Sequence, residues 1–363
     1  MRVLHVVSVD KPNYFLNNLC DYSNGVEYVF VTLAPQCGFA EALRQRGKRV
    51  HCLSAQGRRD YPRAAWDIRR IIRAEQPDIV HTHLFDPTMV GATVAKLQGR
   101  KVVVTRHHSD ALYQLPLLKR RLYLTLERYV NHLADHIVAP ARAVRDILLR
   151  EGVRPEKVSL IPYGQTCDRF DLSADEISRV RAELGMDGLS LVCNARLFHR
   201  KGHAHLFAAF ARLRADANLY LVGTGNYQAP LEALARELGI ARRVKFLGWR
   251  DDALAVVAAA DVIVHPSLED ALSSALIEAL MLRKPIIATD ISGARDILAD
   301  GRYGWIVPPA DPDSLHQALQ SVVDDLPAAR ARAAGGRDYL LRYMGARRVA
   351  EEYVKVYHAL SLP

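Results

Sequence analysis

Short apolar runs recur along the chain, and between them apolar positions return at the three-and-four spacing of a helix. In the first half the runs predict strands at 3–7, 28–31, 50–53, 78–82, 101–105, 136–139 and 158–162. After a loop at 163–175, a second series predicts strands at 190–194, 219–222, 244–247, 262–265, 285–288 and 305–307. Helical stretches fill the gaps. Over 64–75, Ala64, Ile68, Ile71 and Ile72 share one face, while Trp66, Arg69, Arg70 and Arg73 share another. Leu231, Leu234, Ala235 and Leu238 mark a further helix, with Pro230 at its start and Gly239 past its end. Asp252 is placed to cap the next one, and Ser273 or Ser274 to cap a helix running to about Arg283.

Strand and helix alternate throughout, which predicts α/β layering on parallel sheets. Two series imply two doubly wound domains, at 1–165 and 172–363, with a last helix at about 337–360 expected to pack back on the first domain. The length agrees: 363 residues exceed one ordinary core at about 150 residues per domain. No short-period repeat or low-complexity tract interrupts the pattern.

Composition narrows the class. The chain is 50% hydrophobic and 25% charged, without an apolar run near the ~18 residues that span a bilayer. The apolar start at 3–7 lacks the longer hydrophobic region and cleavage site of a secretory signal. Cys20, Cys37, Cys52, Cys167 and Cys193 are scattered, with no C-x-x-C pair; this suits a reducing compartment and argues against a zinc or disulfide framework. A cytoplasmic protein is expected. The net charge of +9 is uneven: residues 1–170 carry 26 Lys/Arg against 16 Asp/Glu, and the remainder 23 against 24. Such asymmetry speaks of partners rather than of fold.

Three stretches of the second half place chemistry where a strand ends and a helix begins, the edge at which open α/β sheets bind ligands. In the first, 194–202, Arg196 and Lys201 offer two cations beside helix N-terminal amides, which suits a diphosphate; solvated loop charges are the plainer alternative. In the second, Gly223 and Gly225 let backbone approach a ligand, and a tight turn explains them equally well. The third, 265–278, holds Glu269 and Asp270 in a loop, amides at Ser273 and Ser274, and Glu278 among apolar neighbours. A carboxylate in so apolar a helix calls for a function, and ionised acids accept well from sugar hydroxyls.

In this order the stretches resemble the family-4 retaining glycosyltransferases, also termed glycosyl transferases group 1. The resemblance adds 244–248, 285–290 and 304–309 and spans nearly the whole second half. It implies the GT-B fold, two Rossmann-like doubly wound domains facing a central cleft. It further implies that Arg196 and Lys201 hold the diphosphate of a nucleotide-sugar, Glu278 the ribose, and Phe246, Leu247 and Gly248 the surroundings of the base. Asp270 takes the first acidic position of the family's E-x7-E pattern, where a Glu is usual. Ala271 follows where a glycine is usual, and Glu269 fills the acidic role after a one-residue shift. His107, with His108 beside it, is similar to the family's strand-end histidine that faces the transferred sugar.

His81 and His83 are read as strand-end packing, because an H-x-H metal site lacks a third ligand in sequence. The family's Gly-Gly loop after the first strand is replaced by Ser8–Tyr14 with no glycine, leaving Asp10, Lys11 and Asn13 as acceptor-side candidates.

The resemblance implies a metal-independent hexosyltransferase without a cofactor, the nucleotide-sugar being substrate. The acceptor is a saccharide or a lipid-linked unit, in polysaccharide or lipopolysaccharide biosynthesis. Arg44, Arg46, Lys48, Arg49, Arg58, Arg59 and the Arg69/Arg70/Arg73 face with Trp66 form one basic surface suited to an anionic membrane. Lys119, Arg120 and Arg121 beside Leu115, Leu117, Leu118 and Leu122 form a second. An ordinary solvated face explains them as well. No aromatic-interleaved basic motif points to nucleic acid. A dehydrogenase is excluded by the missing G-x-G-x-x-G after a first strand. A sugar-nucleotide epimerase of the same fold and a non-catalytic sugar-binding protein stay open as alternatives.

Overall fold

The computed structural model describes residues 1–55, 57–107 and 116–361; His108 and Leu115 lie outside them. The chain divides into two units, Met1–Thr166 with Met344–Pro363, and Cys167–Tyr343.

The first unit is built on β1 (Arg2–Val7), β2 (Glu27–Thr32), β3 (Arg49–Cys52), β4 (Ile79–His83), β5 (Lys101–Thr105), β6 (His136–Ala139) and β7 (Val158–Leu160). They form one parallel sheet in the order β3-β2-β1-β4-β5-β6-β7. Val3, Leu4, Val6 and Val7 of β1 are wholly buried, as expected of a strand covered on both faces. The register sets His5 beside His81 and His83 beside Thr105.

The second unit carries β8 (Leu189–Asn194), β9 (Ala217–Val222), β10 (Val244–Gly248), β11 (Val262–His265), β12 (Ile286–Thr289) and β13 (Trp305–Val307). They lie parallel in the order β10-β9-β8-β11-β12-β13. Leu206, Phe207 and Phe210 of helix His203–Ala211 pack with Leu191, Leu219 and Leu221 of the sheet in one core.

Each of the thirteen strands read from the pattern has its counterpart here, with ends shifted by a residue or two. The helix expected from residue 64 begins a turn earlier, at Tyr61, with Pro62 in its first turn, where a missing N–H costs nothing. Asp252 stands at a helix start but makes no cap bond, because Arg250 holds both of its carboxylate oxygens at 2.7 Å. Ser273, not Ser274, caps helix Ser274–Met281.

One helix over 337–360 is not what forms. Gly336–Met344 and Ala346–Ser361 are separate helices, broken at Gly345, where the Gln165 amide donates to Met344 O and the Ala346 amide to Gln165 O, each at 2.8 Å. Helix Ala346–Ser361 belongs to the first unit and packs on helix Tyr14–Tyr22. No helix among the described residues is long and apolar enough to cross a membrane.

Candidate active site

In the second unit the strand order reverses at β8, making the carboxyl ends of β8 and β11 the switch point where such sheets bind ligands. From Asn194 the chain runs through Arg196 and the short turn His199–Lys201 to Gly202, which is left-handed at φ 69°. A Cβ on Gly202 would lie 1.9 Å from Pro266 O, so only glycine lets this loop pack on the loop after β11. That packing joins Lys201 to Asp270, Nζ donating to Oδ2 at 2.7 Å, with the lysine side chain 11% exposed. Arg200 and Glu269 form the neighbouring pair at 3.6 Å. The two acids left open by the sequence therefore take different cations.

Behind Asp270 stands His265, its Nε2 3.8 Å from Oδ2 and 3.1 Å from the Ser273 hydroxyl. Burial pushes this imidazole down to about 4, so it is neutral near pH 7. The Ser273 hydroxyl also accepts from the Leu276 amide, and is thereby used within the protein. What helix Ser274–Met281 offers a ligand is its first-turn amides, which no helix satisfies internally.

Glu278, one turn in, accepts from Arg169 Nη2 at 3.2 Å and from Asn194 Nδ2 at 3.4 Å. Burial pushes its carboxyl above the ordinary value, and Arg169 opposes that shift. Arg196 is exposed, with its guanidinium 5.0 Å from the centre of the Phe198 ring, and no ion pair among the described residues holds it. Of the two cations read from the sequence, one is locked to an acid and one is unpaired.

Two further stretches are closely packed. A Cβ on Gly223 would lie 2.4 Å from Ala195 O, and one on Gly225 2.1 Å from Leu197 O. These glycines serve the packing of one loop on another. Phe246 packs against the core edge-on to Phe207 with centroids 6.4 Å apart, and like Leu247 and Gly248 it is half-buried at the strand end.

Four neighbours of this site escaped the sequence reading: Arg169, Asn194, His203 and His265. His203 is wholly buried with neither ring nitrogen hydrogen-bonded, and burial, aided by His265 and Lys201, pushes it down to about 4. Its position directly after Lys201-Gly202 was the available signal. Arg169 gave none, lying in a loop that hydropathy marks only as a boundary.

The first unit gathers a different set. His107 Nε2 lies 3.0 Å from His83 Nδ1, and His107 Nδ1 2.7 Å from the Tyr163 hydroxyl, so both ring nitrogens have protein partners. His81 and His83 are buried, as packing residues would be, yet every one of their nitrogens is hydrogen-bonded. On the expected acceptor loop, Asn13 spends its side chain capping helix Tyr14–Tyr22 through the Leu16 amide at 3.1 Å, while Asp10 and Lys11 are exposed. Of the basic surface, Arg46 pairs with Asp21, Arg49 with Glu27 and Glu75, and Arg58 with Asp86. Trp66, Leu117, Leu118 and Leu122 are more than half exposed.

Comparison with known proteins bears on the family and the fold. A family model described as glycosyl transferases group 1 matches residues 175–338, and one described as glycosyltransferase family 4 matches 19–169. A putative glycosyltransferase of Bacillus subtilis, EpsD, is 29% identical over 80% of this chain and 79% of its own length. An Escherichia coli UDP-Gal:alpha-D-GlcNAc-diphosphoundecaprenol alpha-1,3-galactosyltransferase is 28% identical over 70% and 69%. Among solved structures, Anabaena HepE in complex with UDP-glucose superposes with a TM-score of 0.86 at 21% identity, covering 99% of this chain and all of that one.

Proposed function

We propose, for a chain that belongs to the group 1, family-4 glycosyltransferases of the GT-B fold, that it moves a hexosyl unit from a nucleotide-sugar to a lipid-linked or polysaccharide-precursor acceptor, with retention and without a metal. The observation that carries this reading is the switch-point arrangement of the second unit: an unpaired Arg196, a Lys201 held by Asp270, and a largely buried Glu278. A nucleoside diphosphate needs cations where its charge develops and an acceptor for its ribose hydroxyls.

As the bond between the anomeric carbon and the diphosphate oxygen breaks, Arg196, Lys201 and the amides of Ser274 and Ala275 take up the growing negative charge. That is the work a divalent cation does elsewhere. The acceptor hydroxyl attacks from the same face, and its proton passes to the departing phosphate oxygen. Glu278 orients the ribose, Asp270 the hexose, and Phe246, Leu247 and Gly248 surround the base. Asp270 has to exchange its bond with Lys201 for sugar hydroxyls, so donor binding repartners this pair. His107 contacts the sugar only by releasing Tyr163 or His83.

A uridine donor is the first choice, since HepE is solved with UDP-glucose and the E. coli relative is named for UDP-Gal. The diphosphoundecaprenol in that relative's name supports a lipid-linked acceptor, as do the exposed Trp66, Leu117, Leu118 and Leu122 in their basic surroundings, which suit a peripheral position on an anionic membrane.

The test is a thermal-shift series with uridine and guanosine nucleotide-hexoses, since a ligand of the native state raises its stability. An α-linked product from an α-donor, formed unchanged in chelator, is expected; a β-linked product or a lost rate would overturn retention or metal independence. Conversion of a nucleotide-sugar with no acceptor present would favour the epimerase reading instead.

A further inference from the structure

The sheet of the first unit reverses its strand order between β1 and β4, and that switch point is filled by imidazoles. His5 and His81 are register partners on adjacent strands, and His83 follows His81 by two residues and so faces the same side. The three rings stand 4.2 to 5.1 Å apart, centre to centre. One nitrogen from each ring falls within 4.8 Å of one from each of the others, and all three residues are buried. Tyr353 and Tyr357 of helix Ala346–Ser361 cover them.

A proton count exposes a defect in this cluster. A neutral imidazole has one donor and one acceptor. His5 Nδ1 meets His83 Nε2 at 2.9 Å, His83 Nδ1 meets His107 Nε2, and His107 Nδ1 meets Tyr163. The chain of protons can run in either direction, yet in both directions His5 Nε2 ends without a partner, at a residue with no exposure. A half-satisfied polar network inside a core costs more than an apolar one. Phe30 and Tyr28 line His5 and offer it no oxygen close enough to bond.

We propose that His5, His81 and His83 form a three-nitrogen site for a single d-block divalent ion, with Zn2+ as its natural occupant. Imidazole nitrogen suits zinc, copper, nickel and cobalt, whereas magnesium and calcium require oxygen. Ligands about 2.1 Å from a tetrahedral ion stand about 3.4 Å from one another. The 2.9 Å contact between His5 and His83 needs only a small opening, in which the ion replaces the shared proton.

Two of the three ligands have the surroundings a metal-bound histidine usually has, its other nitrogen held by a second partner, while His5 Nε2 keeps its place against Phe30 and Tyr28. His81 holds Tyr357 at 2.7 Å and Thr105 at 2.8 Å, so the nitrogen that turns to the ion leaves the other with an oxygen partner. His83 keeps His107. The sequence shows H-x-H alone; the third ligand comes from a strand far earlier in the chain. The ion ties β1 to β4, a structural role separate from the proposed transfer chemistry.

Protein produced in zinc-supplemented medium and exchanged into EDTA is expected to retain about one Zn2+ per chain by elemental analysis. Production with Co2+ is expected to give the strong visible bands of a four-coordinate ion. His5→Phe and His83→Phe are expected to drop to about a tenth of that metal content or less, with circular dichroism unchanged, while the exposed His132→Ala keeps it. Folded parent protein without stoichiometric metal overturns the proposal, as does metal that persists in both histidine variants. Should neither variant fold, the parent's metal content and cobalt spectrum decide alone. None of these readouts involves sugar transfer, so their failure is distinct from failure of the transferase reading.

Discussion

The two sheets share one strand order, three strands stepping down and the rest stepping up, and therefore one switch point each, β1 beside β4 and β8 beside β11. What fills those two places differs. In the second unit it is formal charge: Lys201 with Asp270, Arg200 with Glu269, Glu278 with Arg169. In the first unit it is rings, four histidines and three tyrosines joined by hydrogen bonds, in part through Thr105. The difference follows from cover. Helix Ala346–Ser361 lies over the imidazoles, and burial pushes His5 down to about 3, whereas the charged loops keep partial access to water. Equal topology thus supplies two places for ligands, and solvent access decides which chemistry each can hold.

The sharpest way to break the comparison is to remove a cation from the charged site. Lys201→Ala is expected to lower kcat about 10²- to 10³-fold with the fold intact, as when one preorganised donor is lost from a transition state. Steady-state release of the nucleoside diphosphate measures it. A near-normal rate would reduce the second switch point to a solvated loop.

Glu278→Gln is expected to lower kcat/KM about 10- to 100-fold, the worth of one charge-assisted hydrogen bond. The same change should stabilise the protein. Burial raises this carboxyl, so the folded state disfavours the ionised form, and stability is lost as pH climbs from the ordinary carboxylate value through the raised one. Melting of the variant should therefore exceed that of the parent at pH 7, with the gap closing near pH 4.

His203→Leu sharpens the contrast further. The native imidazole titrates near 4, so an unfolded chain takes up a proton below 6.5 that the folded one refuses. Stability falls as pH drops from 6.5 towards 4, and the variant escapes this loss. A gain of about 1–3 kcal/mol in urea unfolding at pH 5, smaller at pH 8, is expected from relieving a buried group without partners. The smallest effect concerns the surface of the first unit. Lys119→Ala and Arg121→Ala should each weaken flotation with anionic vesicles about 5-fold, or ~1 kcal/mol per residue. No dependence on anionic lipid would remove the membrane from the proposal.

Much of the charged site was legible because its parts are local. Arg196 and Lys201 share one loop, and Asp270, Ser273 and Glu278 share one loop and helix, so strand-end position announced them. The packing of Phe246 was not legible, because the contact of its ring with Phe207 and the irregularity between Phe246 and Gly248 depend on neighbouring elements. For Gly223 and Gly225 the sequence left ligand approach and a tight turn equally open, since it does not reveal that carbonyls of the preceding loop occupy the space a Cβ would need.

Periodicity alone determined the thirteen strands and their alternation with helices, because strand and helix periods are written in neighbouring residues. Tertiary structure decided the partners. Arg169 meets Glu278 across 109 residues, His5 meets His83 across 78, and Tyr357 meets His81 across 276. Contacts of that separation leave no local signature, for they depend on which strands lie side by side and which helix returns to cover them.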